Sequence, residues 1–300
     1  MELEGRSLAA QYRLCQAGGM KNGWLFQLVL PTLLLWAPSQ APEASELTCG
    51  DPAVIFCDDF ETGTFDQWQE GYRPALHAIT SDPTKAYAGR RSLEVTYPEG
   101  GEGKWLARWF MPGYDRAFAR LYIKFEEGYR CGDNCTKILA FYGNRLDDQR
   151  SGFGKAGIRP TGTDFFFASL VTLNWQRHPD PGEIIFYSYF PEMKQAPDGM
   201  FWGNFSFQQE PREAVKAGLW YCLEFELQAN EPGRRDGYQR MWINDEFKGE
   251  VTGMRWRDTT DVRINAVQLT FSASPVPITE HVWIDNVVVS TERIGCVISQ

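Results

Sequence analysis

Trp220-Tyr-Cys-Leu-Glu-Phe-Glu-Leu-Gln228 places Tyr221, Leu223, Phe225 and Leu227 on one side and Trp220, Glu224, Glu226 and Gln228 on the other. A period of two is the mark of a β-strand with one face in a core. Working outward, the same kind of short β-rich run recurs at Ala53–Phe60, Ser92–Tyr97, Lys104–Phe110, Ala119–Phe125, Lys137–Tyr142, Phe165–Leu173, Ile184–Phe190, Tyr238–Ile243, Ala266–Ser272 and Val282–Ser290. Each is bounded by Gly, Pro, Asn or Asp, and no long window has helical periodicity. Aromatic residues make up 14% of the chain, which suits packed sheets. So many strands in one unit imply two stacked antiparallel sheets. The fold expected is all-β, a two-sheet sandwich of the jelly-roll kind.

Alternation also assigns faces. In Lys104–Phe110 the set Trp105, Ala107, Trp109 reads as core, turning Lys104 and Arg108 outward. In Ala119–Phe125 the core set is Leu121, Ile123 and Phe125, with Arg120, Tyr122 and Lys124 outward. In Ile184–Phe190 it is Ile184, Phe186 and Phe190, which leaves Tyr187 and Tyr189 together on the other side. Outward rings and charges on a concave sheet are what a sugar groove needs, because rings stack on pyranose faces and polar groups bind hydroxyls. On a convex sheet the same residues are only a solvated surface.

Residues 1–44 read as an N-terminal extension and signal peptide, and 45–300 as one sandwich domain. Lys21 precedes the apolar run Trp24–Trp36, which contains Pro31 and ends in small residues. That run is shorter than the ~20 residues a membrane-spanning helix needs, so no span is expected after cleavage. The leader's Arg6, Arg13 and Lys21 balance Glu2, Glu4 and Glu43, leaving the whole net charge of −9 on the remainder. Nucleic acid is therefore not an expected partner, whereas an acidic glycan can still bind where cations converge. Without Cys15, six cysteines remain, which suits a secreted or periplasmic compartment. Cys131 and Cys135 bracket the turn-forming Gly-Asp-Asn and are expected to be bridged. The pairing of Cys49, Cys57, Cys222 and Cys296 stays open, with Cys222 a candidate for a free thiol buried in its strand. The three histidines lack the spacing of a zinc site.

Several motifs together carry a resemblance: FCDDFETG at Phe56–Gly63, WYCLE at Trp220–Glu224 followed by Asn230-Glu-Pro-Gly233 and Asp236-Gly237, MWIN at Met241–Asn244, and WIDNVVV at Trp283–Val289. They are similar to the concanavalin A-like lectin/glucanase superfamily, nearest to its polysaccharide-lyase-like jelly-roll members. The motifs are architectural, marking terminal strands that pair at an edge and a long central hairpin, so they speak for fold more than for activity.

The resemblance implies a secreted carbohydrate-active protein, a monomer whose partner is an extracellular and acidic polysaccharide. The leading expectation is a lyase that cleaves a uronic-acid polymer by β-elimination. The alternatives are a non-catalytic lectin-like glycan binder and a glycoside hydrolase. Lyase members use tyrosine, sometimes with histidine, for proton transfer beside cations or amides that balance the uronate charge. Tyr187, Tyr189 and His178 are the proton-transfer candidates, Arg108 and Lys137 the charge-balancing ones, and Arg120, Tyr122, Lys124, Tyr142, Trp220, Glu224 and Glu226 the substrate-binding ones. The Arg-x-Glu-x-Arg and Gln-Ile-His strands typical of alginate-lyase members are absent. The hydrolase reading would use Glu224 and Glu226, which lack the Asp and third acid of the glucanase motif. No cofactor is expected for the chemistry. Asp59, Glu61 and Asp285, on strands expected to be neighbours, are the candidates for a structural Ca2+.

Overall fold

The computed structural model describes residues 49–130, 136–174, 179–273 and 275–296; residues 1–48, the Cys131–Cys135 pair and His178 lie outside them. The described chain forms fifteen strands: β1 (Val54–Asp58), β2 (His77–Thr80), β3 (Ser92–Tyr97), β4 (Lys104–Tyr114), β5 (Arg116–Phe125), β6 (Lys137–Arg145), β7 (Phe165–Leu173), β8 (Pro181–Tyr189), β9 (Asn204–Ser206), β10 (Ala214–Lys216), β11 (Trp220–Gln228), β12 (Gly237–Ile243), β13 (Glu246–Met254), β14 (Val262–Phe271) and β15 (Glu280–Ser290). Among the described residues there is no helix, and none long and apolar enough to cross a membrane.

Two antiparallel sheets are stacked as a sandwich. One has eight strands in the order β13-β12-β11-β5-β15-β3-β2, with β1 added to β15; the other has seven, β10-β8-β7-β6-β14-β4, with β9 added to β8. The terminal strands do pair, Cys57 with Val288 and Asp58 with Val287. However, β15 also pairs with β5 and β3, so it lies inside its sheet and not at an edge.

The core between the sheets follows the alternation of β11 and β5. Leu223, Phe225 and Leu227 are buried there opposite Leu121, Ala119 and Ala117, and Ile184 and Phe186 of β8 meet them from the other sheet. The assignment for β4 is reversed. Leu106 and Phe110 pack in the main core, while Trp105, Ala107 and Trp109 lie on the outer face of the seven-stranded sheet, against Phe153 and Tyr142. That sheet is apolar on both faces, so the pattern of β4 marks two buried sides and cannot say which is the core. Four strands escaped the sequence reading. Of these β9 and β10 have three residues each, and β13 is an edge strand carrying Glu246, Lys248 and Glu250, as edge strands do to discourage further pairing.

Among the described residues two disulfides are present, Cys49–Cys57 and Cys222–Cys296. Cys222 is therefore bonded and is not a free thiol. Its strand ties down the chain end, where Ile294 is fully buried against Phe118 and Val288. Asn230, in the motif after β11, anchors the 255–257 segment. Its Oδ1 accepts from the N–H of Trp256 and Arg257, and its Nδ2 donates to the carbonyls of Glu231, Arg234 and Arg257.

Candidate active site

A cleft with about 390 Å³ of open space lies on the outer face of the seven-stranded sheet, lined by Lys137, Tyr142, Gly152, Gly154, Lys155, Ala156, Phe165, Phe167 and Tyr189. Pairing explains how these residues come together. Tyr142 of β6 is opposite Phe167 of β7, which is opposite Tyr189 of β8, so the three project side by side. Tyr187, two residues earlier on the same face, is opposite Ser169.

Tyr187 and Tyr189 thus sit on the face that carries the cleft, as their alternation with Phe186 predicts. They are 2% and 6% exposed, within an apolar cluster that includes Phe167, Met193 and Phe205. Their hydroxyls are 3.1 Å apart. The Lys137 ammonium stands 5.4 Å from the centre of the Tyr187 ring, an attractive cation–π placement. Tyr142 donates from its hydroxyl to Gln268 Oε1 at 3.3 Å and stacks on Phe153 with centroids 4.4 Å apart. Lys137 and Lys155 have no ion-pair partner among the described residues. On a chain of net charge −9, two cations at one cleft without carboxylates to balance them mark a place for an anion.

The other candidate residues are placed elsewhere. Arg108 shares a side of β4 with Leu106, donates to the Gln67 carbonyl at 3.1 Å and lies over the Phe56 ring, so it does not join the tyrosines. Arg120, Tyr122, Lys124, Trp220, Glu224 and Glu226 are on the outer face of the eight-stranded sheet, across the core from the cleft. There Tyr122 stacks on Tyr87 at 3.7 Å and Trp220 meets Tyr87 edge-on, while Lys124 donates to the Thr84 carbonyl. Arg120 is 3% exposed and donates to the Gly295 carbonyl. Glu224 accepts the N–H of Ile294 at 2.7 Å and of Gly295 at 3.2 Å, and burial raises its carboxyl above the usual range. Glu226 accepts from Arg116 and Tyr238. These two acids are buried, and their hydrogen bonds hold neighbouring strands and the 294–295 segment in place. Alternation correctly turned all six outward but could not say from which sheet.

Asp59, Glu61 and Asp285 do not gather as cation ligands. Glu61 Oε1 accepts the N–H of Arg90 and Arg91, and Asp285 Oδ2 accepts those of Tyr87 and Ala88, so both carboxylates hold the loop between β2 and β3. Asp59 caps the N–H of Glu61. Burial pushes the Asp285 carboxyl up to about 7. Among the described residues no group of three or more His, Cys, Asp or Glu is placed to hold a metal ion.

Sequence reasoning missed Gln268, Lys155, Phe153 and the outward tryptophans of β4. The signal for the loop residues was Ser151-Gly-Phe-Gly-Lys-Ala-Gly157, a glycine-rich run around one ring and one cation.

Compared with known proteins, the sequence matches no family profile and no curated protein. The fold, in contrast, has many solved counterparts. A marine PL-14 alginate lyase from Aplysia kurodai superposes with a TM-score of 0.62 at 13% identity, over 80% of this chain and 99% of that one. An alginate lyase mutant in complex with an alginate trisaccharide gives 0.57 at 16% identity, over 74% and 87%. An endo-β-1,4-glucuronan lyase from the fungus Trichoderma reesei gives 0.53 at 15%, over 80% and 96%. The chain therefore shares the two-sheet jelly-roll fold of these polysaccharide lyases.

Proposed function

We propose that the protein is a secreted polysaccharide lyase that cleaves a uronic-acid-containing polymer by β-elimination. The observation that carries the reading is the cleft itself, lined by Lys137, Lys155, Tyr142 and Tyr189, with Lys137 over the Tyr187 ring and the Tyr187 hydroxyl 3.1 Å from that of Tyr189. The two disulfides and the lyase counterparts support export.

The chemistry assigns roles. Elimination removes the proton alpha to a uronate carboxylate, the C4–O bond breaks as a C4=C5 double bond forms, and a proton reaches the leaving oxygen. The alpha proton is acidic only if the carboxylate charge is balanced, which is the work of Lys137, with Lys155 available to bind further oxygens. Tyr187 and Tyr189, whose hydroxyls touch, supply the groups that take and return the proton.

The Tyr187→Phe variant tests the reading against the lectin alternative. A lyase keeps binding and loses turnover by about 10²–10⁴-fold, the usual contribution of general acid–base catalysis. Equal loss of binding and turnover, or no change in either, contradicts it.

A further inference from the structure

Two segments meet above the cleft. On one side Phe153 packs on Tyr142 and lies 5.1 Å from Trp109 between ring centres, and a Cβ on Gly152 would stand 3.1 Å from Tyr142 Cδ1. On the other side the backbone at Gly203 lies directly on the Tyr187 ring, where a Cβ would approach Cζ to 2.6 Å. The two sides join where Phe201 N–H donates to the Gly157 carbonyl at 3.0 Å. At that junction Gly157 has φ +76°, a conformation that strains any residue with a side chain, and it lies against the Met200 methyl group. Arg159 lies over the Phe201 ring. Residues 152–157 and 200–203 thus form an arch over the face that carries Tyr142, Phe167, Tyr187 and Tyr189.

The feet of this arch are fixed. Gly152 N–H donates to Asn144 Oδ1, Ser151 Oγ to the Asp164 carbonyl and Trp109 Nε1 to the Gln149 carbonyl. Phe153 fills the space between Tyr142 and the tryptophans of β4, with the Arg150 guanidinium over both Phe153 and Trp109. A polysaccharide laid across the sheet toward β4 would meet that ring.

We infer that the arch makes this cleft a site for the end of a uronate chain and excludes its middle, with Phe153 as the specificity-determining residue that closes the groove toward β4. The inference rests on the lyase reading for the identity of the chain and on the arch for the mode of attack. An enzyme of this design releases short unsaturated products from an end while the polymer keeps its length. Removing the Phe153 ring uncovers Trp109 and Tyr142 as platforms for further sugars and opens the groove.

The test compares wild type, Phe153→Ala and Phe153→Leu on a uronate polymer and a uronate trisaccharide. Binding stoichiometry and affinity are read by titration calorimetry, and ultraviolet absorbance of product is followed alongside viscosity. Wild type should bind about one protein per accessible chain end, and absorbance should rise while viscosity barely falls. Phe153→Ala should bind several proteins per chain, lose viscosity faster per bond cleaved, and bind polymer about 2–10-fold more tightly, the worth of one aromatic stacking contact. Its trisaccharide affinity should not change, and Phe153→Leu, which keeps the plug, should behave as wild type. Should Phe153→Ala fail to fold, Gly157→Val opens the arch at its junction and should shift the product pattern in the same direction. Many wild-type molecules per chain together with an immediate loss of viscosity would overturn the arch inference and leave the lyase reading intact. A wild type that neither binds nor cleaves any uronate removes the lyase reading itself.

Discussion

Replacing Glu280 by Gln should stabilise the protein at pH 8 and do almost nothing at pH 5. Glu280 is 1% exposed; one carboxylate oxygen accepts the Arg130 N–H at 2.8 Å and the other has no hydrogen-bond partner among the described residues. Burial, reinforced by the negative charges of Asp180 and Glu126, raises its carboxyl from 4.5 to about 7. Between those values the native protein keeps a proton that the unfolded chain has lost. The unfolded state then binds fewer protons, and stability falls as pH rises from about 4.5 to about 7. That difference corresponds to about 3 kcal/mol, complete above pH ~8 and absent below pH ~4.5. Glutamine preserves the shape and cannot ionise, so it escapes the loss. Denaturant unfolding of wild type and Glu280→Gln at both pH values should show the variant ahead by up to about 3 kcal/mol at pH 8, with near equality at pH 5. An equal difference at the two pH values, or a less stable variant at pH 8, would refute the reasoning.

Breaking Cys222–Cys296 by double substitution to Ser should cost about 4 kcal/mol in denaturant unfolding, because the bridge closes a loop across a sequence separation of 74. The Cys49–Cys57 bridge, with a separation of 8, should cost less in the same assay. Asn230→Ala leaves two N–H groups and three carbonyls without their partner and should destabilise by at least about 3 kcal/mol, read as a lowered melting temperature. Chelation with EDTA should leave the melting temperature unchanged, since Glu61 and Asp285 already bind backbone N–H groups; a drop reversed by calcium would restore that edge as a metal site. Lys137→Ala should weaken uronate binding more at low salt than at high salt, as expected for a cation facing solvent across a Debye length of ~8–10 Å.

The strands were legible in the sequence as β-rich runs bounded by turn residues, even where, as in Phe165–Leu173, both faces are buried. Trp220–Gln228, Ser92–Tyr97 and Phe165–Leu173 are bounded as their composition indicates. The face assignment failed for β4 because Trp105 and Trp109 are as apolar as Leu106 and Phe110, and only the cover that Phe153 gives the outer face distinguishes the two sides. Sheet membership was not legible at all. Arg120 and Lys124 turn outward as predicted, yet β5 and β8 belong to different sheets, a fact set by long-range pairing that local alternation does not contain. Tyr187, Tyr189, Tyr142 and Lys137 come to one face because β6, β7 and β8 are neighbours. Gln268 was missed because its role depends on β14 pairing with β6, and Phe153 because a loop residue has no periodicity to read.

The most direct test of the account is to incubate the purified protein with a panel of uronic-acid polysaccharides and follow the ultraviolet absorbance of unsaturated uronate. The account predicts a rise with at least one member of the panel, abolished in Tyr187→Phe and weakened in Lys137→Ala. New reducing ends without any unsaturated product would mean hydrolysis, and binding without either product would mean a lectin; each result contradicts the claim that this cleft carries out β-elimination.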